Sequence, residues 1–315
     1  MVDLLKAIIL GIVEGITEFL PISSTGHLLL CERWMGIDLE APGSMWKTFA
    51  IFIQLGAILA VVVYFRRRIM DLLRGKAEGA RTPLEISQAA KAAKTTNPVP
   101  NALTMGQTLD YTQAALDEDL ITPAQRLNAI LMIILATIPV LVVGLLTHDW
   151  IEKNMESDRG IGWALLIGGI VMVVIEVIPT NVTTRRIERI TWKQALGIGI
   201  AQILAAIFPG TSRSAATIMG GMVAGLSRAA AAEFSFFLAI PAMFAACGYS
   251  LLKWLKHASP GAKEIMLMII GLLVSFLVAY AVIAFLMAYI RRHSFIPFAI
   301  YRIALGAFVL FVVTR

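Results

Sequence analysis

With 315 residues, 58% of them hydrophobic and only 15% charged, the chain lies well below the roughly 25% charged content of a soluble domain, which excludes an ordinary soluble enzyme. The net charge of +6 comes without a basic stripe interleaved with aromatics, so no nucleic-acid partner is expected and the excess is read through membrane topology. The two cysteines, Cys31 and Cys247, sit in apolar surroundings that suit neither a disulfide framework nor a metal cluster. The expected class is an all-α polytopic membrane protein.

In chain order, the first element is an apolar stretch over 4–36, broken by Glu14-Gly-Ile-Thr-Glu18-Phe-Leu-Pro21-Ile-Ser23-Ser24-Thr25-Gly26-His27. It lacks the basic start of a cleavable leader and carries two carboxylates, so a leader is not expected. Its two short halves predict a re-entrant hairpin, which enters the membrane and returns on the same side. A span is expected over 46–67 and an insert over 69–125, where Asn97-Pro98-Val99-Pro100 and an Ala-rich run at 87–94 suggest short surface helices and loops without a catalytic role. Spans follow at 126–147 and 160–179. A second hairpin over 192–226 is broken by Gln202-Ile-Leu-Ala-Ala-Ile-Phe-Pro209-Gly210-Thr211-Ser212-Arg213-Ser214. Apolar runs of near 20 residues complete the chain with spans at 232–254, 264–290 and 295–313, about six in all.

The two broken hairpins point to a duplication. Aligning Pro21 with Pro209 sets Glu14 against Gln202 and Ser24 against Ser212. The segment from Phe49 to Ala57 then pairs with that from Phe234 to Ala242, and Ile138-Pro139 with Ile296-Pro297. Residues 1–150 form the first expected repeat; residues 151–315 carry the third span and the second repeat. Three full spans per half, an odd number, make the second repeat inverted. The short basic clusters Arg66-Arg67-Arg68, Arg185-Arg186 and Arg291-Arg292 mark the cytoplasmic face by the positive-inside rule. Both termini and the 149–159 loop are then expected outside, with the 69–125 insert and 185–193 in the cytoplasm. The tips of the hairpins meet near the midplane.

Charged groups at that depth cost roughly 2.5–3.5 kcal/mol each on insertion scales and usually face a wet functional cavity. Glu14 and Glu18 share one helix face, and two neighbouring carboxylates repel unless a cation or a proton lies between them. Mg²⁺ or Ca²⁺ would serve; Arg213 or a shared proton are the alternatives. Ser23, Ser24 and Thr25 can cap the helix after Pro21, and Gly210, Thr211 and Ser212 repeat that punctuation. Two helix N-termini therefore make a phosphate cradle, to which Arg213 adds a planar donor fork. Thr217 lies one turn beyond Arg213. Substrate oxygens are expected at Ser23, Thr25, Gly210, Ser212, Ser214 and Thr217. His27, three residues after Ser24, can sit beside its hydroxyl and move a proton. Such a set fits phosphoryl transfer or phosphoanhydride hydrolysis, on a substrate whose tail stays in lipid.

These two motifs, with the closing Phe-Ile-Pro-Phe-Ala-Ile-Tyr-Arg, resemble the undecaprenyl-diphosphate phosphatase, or bacitracin-resistance protein, family over residues 1–68 and 126–315. The resemblance implies a multi-pass protein of the bacterial inner (plasma) membrane that hydrolyses undecaprenyl diphosphate to undecaprenyl phosphate; by the charge asymmetry its site is expected to open to the outside. It implies functional roles for Glu14, Glu18, Ser24, His27, Ser212 and Arg213. The insert at 69–125 is longer than the family leads one to expect. Attack by Ser24 with His27 as proton acceptor is the favoured route; a water activated by His27 or Glu18, and direct attack by His27, are the alternatives. The rival function is an inverted-repeat lipid flippase or transporter. Expected partners are a prenyl diphosphate lipid and membrane lipid, with a homodimer as the candidate assembly.

Overall fold

The computed structural model describes residues 2–37, 45–74, 122–154, 157–179, 181–257 and 261–313. Most of the insert, residues 75–121, lies outside them. Among the described residues the chain is helical, with a single isolated bridge between Thr184 and Leu226. The first hairpin is α1 (Val2–Thr17) and α2 (Ser24–Trp34). Next come α3 (Trp46–Tyr64), α4 (Arg66–Arg74), α5 (Pro123–Asn154) and α6 (Asp158–Val177). The second hairpin is α7 (Trp192–Ile207) and α8 (Arg213–Val223), and α9 (Arg228–His257), α10 (Ala262–Tyr289) and α11 (Ile296–Phe308) follow.

Among the described residues four helices are long and apolar enough to cross a bilayer: α5, α6, α9 and α10. A fifth span is available if α3 and α4 are counted together, although they bend by 63°. The bend falls where the apolar run of α3 meets Arg66-Arg67-Arg68, and α4 turns aside there. The expected span at 295–313 corresponds to a shorter apolar helix, Ile296–Val312, with Pro297 in its first turn and a wider π turn over Val309–Val313 at its end. Four or five apolar spans are thus seen where about six were expected.

The long helices turn aliphatic side chains outward and small ones inward, as lipid-exposed bundles do. Along α10, Ile269, Leu273 and Leu277 are exposed, whereas Gly271, Ser275 and Ala279 are buried. Ser275 Oγ donates to the Ile53 carbonyl at 2.6 Å, tying α10 to α3.

The two hairpins match in detail. Their first arms, α1 and α7, are both 16 residues long, and their second arms, α2 and α8, are both 11. Each first arm presents a glycine to the backbone of a long helix. A Cβ on Gly11 would meet the Gly271 carbonyl of α10 at 2.8 Å, and one on Gly199 would meet the Ala136 carbonyl of α5 at 2.5 Å. Ser23 and Ser212 cap the second arms with nearly the same backbone angles, φ 75° and ψ 100° against φ 72° and ψ 114°. They are the non-glycine residues with positive φ among the described residues. Such a conformation costs on the order of 1–3 kcal/mol and persists only where the surroundings enforce it. The caps set Ser23 against Ser212 and Ser24 against Arg213. The expected pairing of Ser24 with Ser212 is therefore off by one, because the second turn carries one more residue between its proline and its cap.

Candidate active site

Each hairpin breaks at its proline, and the cap serine restarts the helix: Ser23 Oγ accepts from the Gly26 N–H at 3.4 Å and Ser212 Oγ from the Ala215 N–H at 3.3 Å. The tips touch directly. Ser214, fully buried at the start of α8, donates from Oγ to the Leu20 carbonyl of the first tip at 2.9 Å. Phe19 packs edge-on against Phe236 of α9, with centroids 5.4 Å apart, and the Arg213 guanidinium lies 5.7 Å from the same Phe19 ring.

Across this junction runs a chain of polar contacts. Ser24 Oγ donates to Glu18 Oε2 at 2.6 Å, and Arg213 Nη2 donates to Glu18 Oε1 at 3.1 Å. Arg213 Nη1 reaches the Ser235 carbonyl at 3.4 Å, while its buried Nε has no partner among the described residues. Thr217 Oγ1 donates back to the Arg213 carbonyl at 2.9 Å and pairs with the Ser235 hydroxyl, which fixes the base of α8 against α9. The carboxylate of Glu18 is thereby held by a hydroxyl on one oxygen and a guanidinium on the other. Charge-assisted contacts of this kind are about twice as strong as neutral ones.

His27 does not meet Ser24. Its Nδ1 lies 2.6 Å from the Ser23 carbonyl, which can only accept, so Nδ1 carries the proton. The Nε2 lone pair of the neutral ring then accepts from the Tyr301 hydroxyl at 2.7 Å, and the two rings stack at 5.6 Å and 9°. The proton acceptor in contact with Ser24 is Glu18, where His27 had been expected. A helix places residue i+3 a turn away, but the carbonyl of the cap and the phenol of α11 compete for both ring nitrogens.

Glu14 is fully buried, one turn before Glu18, and among the described residues neither of its oxygens has a hydrogen-bond partner; nor has Oε1 of Gln202, the α7 residue aligned with it. A buried carboxylate without a partner is costly, so this position calls for a cation or a proton. Among the described residues no group of three or more His, Cys, Asp or Glu is arranged to hold a metal ion. A divalent cation at Glu14 would have to keep water or phosphate oxygens as most of its ligands, as Mg²⁺ commonly does.

Of the other expected substrate contacts, Thr25 is exposed at the tip. Ser23 and Ser212 act as caps, Ser214 and Thr217 are engaged in packing the tips, and the Gly210 carbonyl accepts from Arg302 at 3.2 Å. Tyr301, Arg302 and Ser235 escaped the residue-by-residue reading. The first two stand in the closing Tyr-Arg of an apolar helix, and a buried arginine there was a legible signal.

The family model described as bacitracin resistance protein BacA matches residues 7–308. The chain is 40% identical over 313 residues to a protein from Thermoanaerobacter sp. (strain X514) named undecaprenyl-diphosphatase, covering 99% of this chain and 97% of that one. It is 39% identical to proteins of the same name from Koribacter versatilis (strain Ellin345), over 97% of this chain and 96% of the relative, and from Lactobacillus delbrueckii subsp. bulgaricus, over 98% and 97%. The chain belongs to the bacitracin resistance protein BacA family and is a multi-pass membrane protein.

Proposed function

We propose that this chain is an integral membrane phosphatase that hydrolyses undecaprenyl diphosphate to undecaprenyl phosphate and inorganic phosphate. The observation that carries the reading is the continuous contact from Ser24 through Glu18 to Arg213, which sets a hydroxyl, a carboxylate acceptor and a cation within one junction. Ser24 Oγ attacks the terminal phosphorus and its proton passes to Glu18. Arg213 leaves Glu18 in part to hold the phosphoryl oxygens as charge builds on them. The phosphoanhydride bond breaks and the lipid monophosphate departs as an anion. A water then attacks the phosphoserine, Glu18 returns its proton to Ser24 Oγ, one water proton stays on the departing phosphate, and the other leaves to solvent. Glu14, with Glu18, would hold a divalent cation, whose charge offsets that of the diphosphate. His27, locked by Ser23 and Tyr301, orders the wall of the site beside the nucleophile. Activation of water by His27 is the second reading; it requires the Nε2 lone pair to exchange the Tyr301 hydroxyl for the water.

The matched lengths and caps of the two hairpins support an inverted repeat of residues 1–150 and 151–315, with the tips at the midplane. The basic clusters support both termini outside, the 185–193 segment in the cytoplasm and a site open to the outer face. Labelling of single cysteines with an impermeant reagent, in a background lacking Cys31 and Cys247, tests that orientation. Reaction from outside at a cysteine placed near Arg185 would reverse it. The function itself is tested by phosphate release from undecaprenyl diphosphate by purified protein. Release is expected; transfer of intact lipid between leaflets without release would establish the flippase reading instead.

A further inference from the structure

Arg302 is the largest fully buried side chain among the described residues, and it sits in α11 with no solvent exposure. A buried guanidinium ordinarily has a carboxylate partner, because an unpaired buried charge is strongly destabilising. Here every hydrogen bond of the side chain, among the described residues, ends on a carbonyl. Nη1 donates to Pro21 at 3.3 Å, Nη2 to Gly210 at 3.2 Å and to Ala164 at 3.1 Å, and Nε to Leu165 at 3.5 Å.

The positions of those carbonyls matter. Pro21 belongs to the turn of the first hairpin and Gly210 to the turn of the second. Broken helices leave such carbonyls without helical partners. One rigid fork therefore satisfies a carbonyl from each tip and ties both to α6. Its neighbour Tyr301 holds His27. Glu18 and Ser24 follow from the first tip, and Arg213 stands three residues after Gly210. The 3.1 Å contact between Glu18 and Arg213 thus depends on how the two turns are held relative to each other.

We propose that Arg302 is a positioning residue for the hydrolysis: it latches the two hairpin tips together, so that Ser24 and Glu18 of one face Arg213 of the other. The inference rests on the phosphatase reading. Five N–H donors in one plane can bridge two turns and a helix at once, whereas a lysine ammonium can reach one turn but cannot reproduce the planar bridge.

Gly168 of α6 offers a test that leaves the arginine in place. A Cβ at this position would overlap the Arg302 Nη2 atom. The guanidinium is the free end of a long side chain and can move aside, so Gly168→Ala displaces the latch without removing its charge. Alanine is also the better helix former, by about 1 kcal/mol, which favours folding of the variant.

The experiment measures phosphate release from undecaprenyl diphosphate by folded, monodisperse protein, with kcat and KM determined for wild type, Arg302→Lys, Arg302→Gln and Gly168→Ala. The expected result is a fall in kcat of at least about tenfold for Gly168→Ala and Arg302→Lys, and of about a hundredfold for Arg302→Gln, a range typical of misplaced catalytic groups. KM should stay within about threefold, because the latch touches no substrate. A merely structural arginine would lower the yield of folded protein and leave kcat per folded molecule unchanged. If Arg302→Gln does not fold, Gly168→Ala carries the test alone. Wild-type kcat in Gly168→Ala, or a rise in KM at constant kcat, would overturn the latch. Absence of release by wild type itself would instead refute the phosphatase reading.

Discussion

Glu18 and Arg213, 195 positions apart in the chain, meet at 3.1 Å where the turns of two helical hairpins touch. Each side chain lies within a few residues of a helix break, so neither could be brought there by an unbroken helix. The other oxygen of Glu18 accepts from Ser24 at 2.6 Å, which makes this carboxylate the link between the hydroxyl and the cation.

Glu18→Gln should therefore disable the site even though the shape is kept. An amide oxygen is a weak base, and general-base catalysis contributes about 10²–10⁴ in rate. Turnover is expected to fall at least about a hundredfold, while binding of the lipid persists. Phosphate release at saturating substrate measures it; turnover within a few-fold of wild type would move the proton acceptor elsewhere.

Glu14 should report on the cation. Both of its oxygens are buried and, among the described residues, unpartnered, so Glu14→Gln removes the charge that a divalent ion would meet first. Turnover is expected to fall at least about tenfold, roughly 1.4 kcal/mol, and half-activation should need more Mg²⁺ or Ca²⁺ than wild type needs. Titration of the ion after chelation measures the shift. Unchanged activation, with wild type insensitive to chelator, would assign Glu14 a proton in place of a metal.

Tyr301→Phe separates the ring stack from the hydroxyl. The phenol donates to His27 Nε2, while the stacking and the Nδ1 contact to Ser23 do not need it. Loss of one such hydrogen bond costs about 0.5–1.5 kcal/mol. A fall of about two- to tenfold is expected, well short of that for His27→Ala. If Tyr301→Phe were as damaging as His27→Ala, the hydroxyl itself would be a participant in proton transfer.

The sequence is most legible where bilayer physics is strict. Long apolar runs marked α5, α6, α9 and α10, and prolines among hydroxyls marked both hairpin turns, because the hydrocarbon core tolerates few alternatives. The polar residues placed by that reading do gather at one junction. What it missed depends on how separate elements dock. Nothing local tells that Tyr301 would take the ring of His27, or that Glu18 and not His27 would accept from Ser24. The expected register slipped by one residue because the second turn carries one more residue between its proline and its cap, and which serine caps is decided by the backbone at Ser23 and Ser212, which composition does not encode. With the caps aligned, Ser24 stands against Arg213 and His27 against Ala216, so on the phosphatase reading the hydroxyl and its carboxylate belong to one hairpin and the cation to the other.

That division puts the heaviest demand on Arg213. Its Nη2 holds Glu18, its Nη1 reaches the Ser235 carbonyl, and its Nε–H is buried with no partner among the described residues. An unsatisfied buried donor on a charged group costs about 1–3 kcal/mol or more, and this one belongs to the guanidinium whose Nη2 holds the carboxylate that accepts from Ser24. A phosphoryl oxygen placed there would accept from the free donor while Glu18 keeps part of its contact. Lysine retains the charge and the stem, and the aromatic face of Phe19 can receive an ammonium as it does the guanidinium. It has no planar fork to grip two oxygens at fixed spacing. Loss of one preorganised contact to a developing negative charge costs about 2.7–4 kcal/mol, roughly 10²–10³ in rate. Arg213→Lys should accordingly insert and fold, bind the lipid, and lose at least about a hundredfold in turnover. Phosphate release by folded, monodisperse variant beside wild type decides the matter. Near-normal turnover would mean that charge alone suffices, and Arg213 would then serve to hold Glu18 and the two tips together, with no grip on the reacting phosphate.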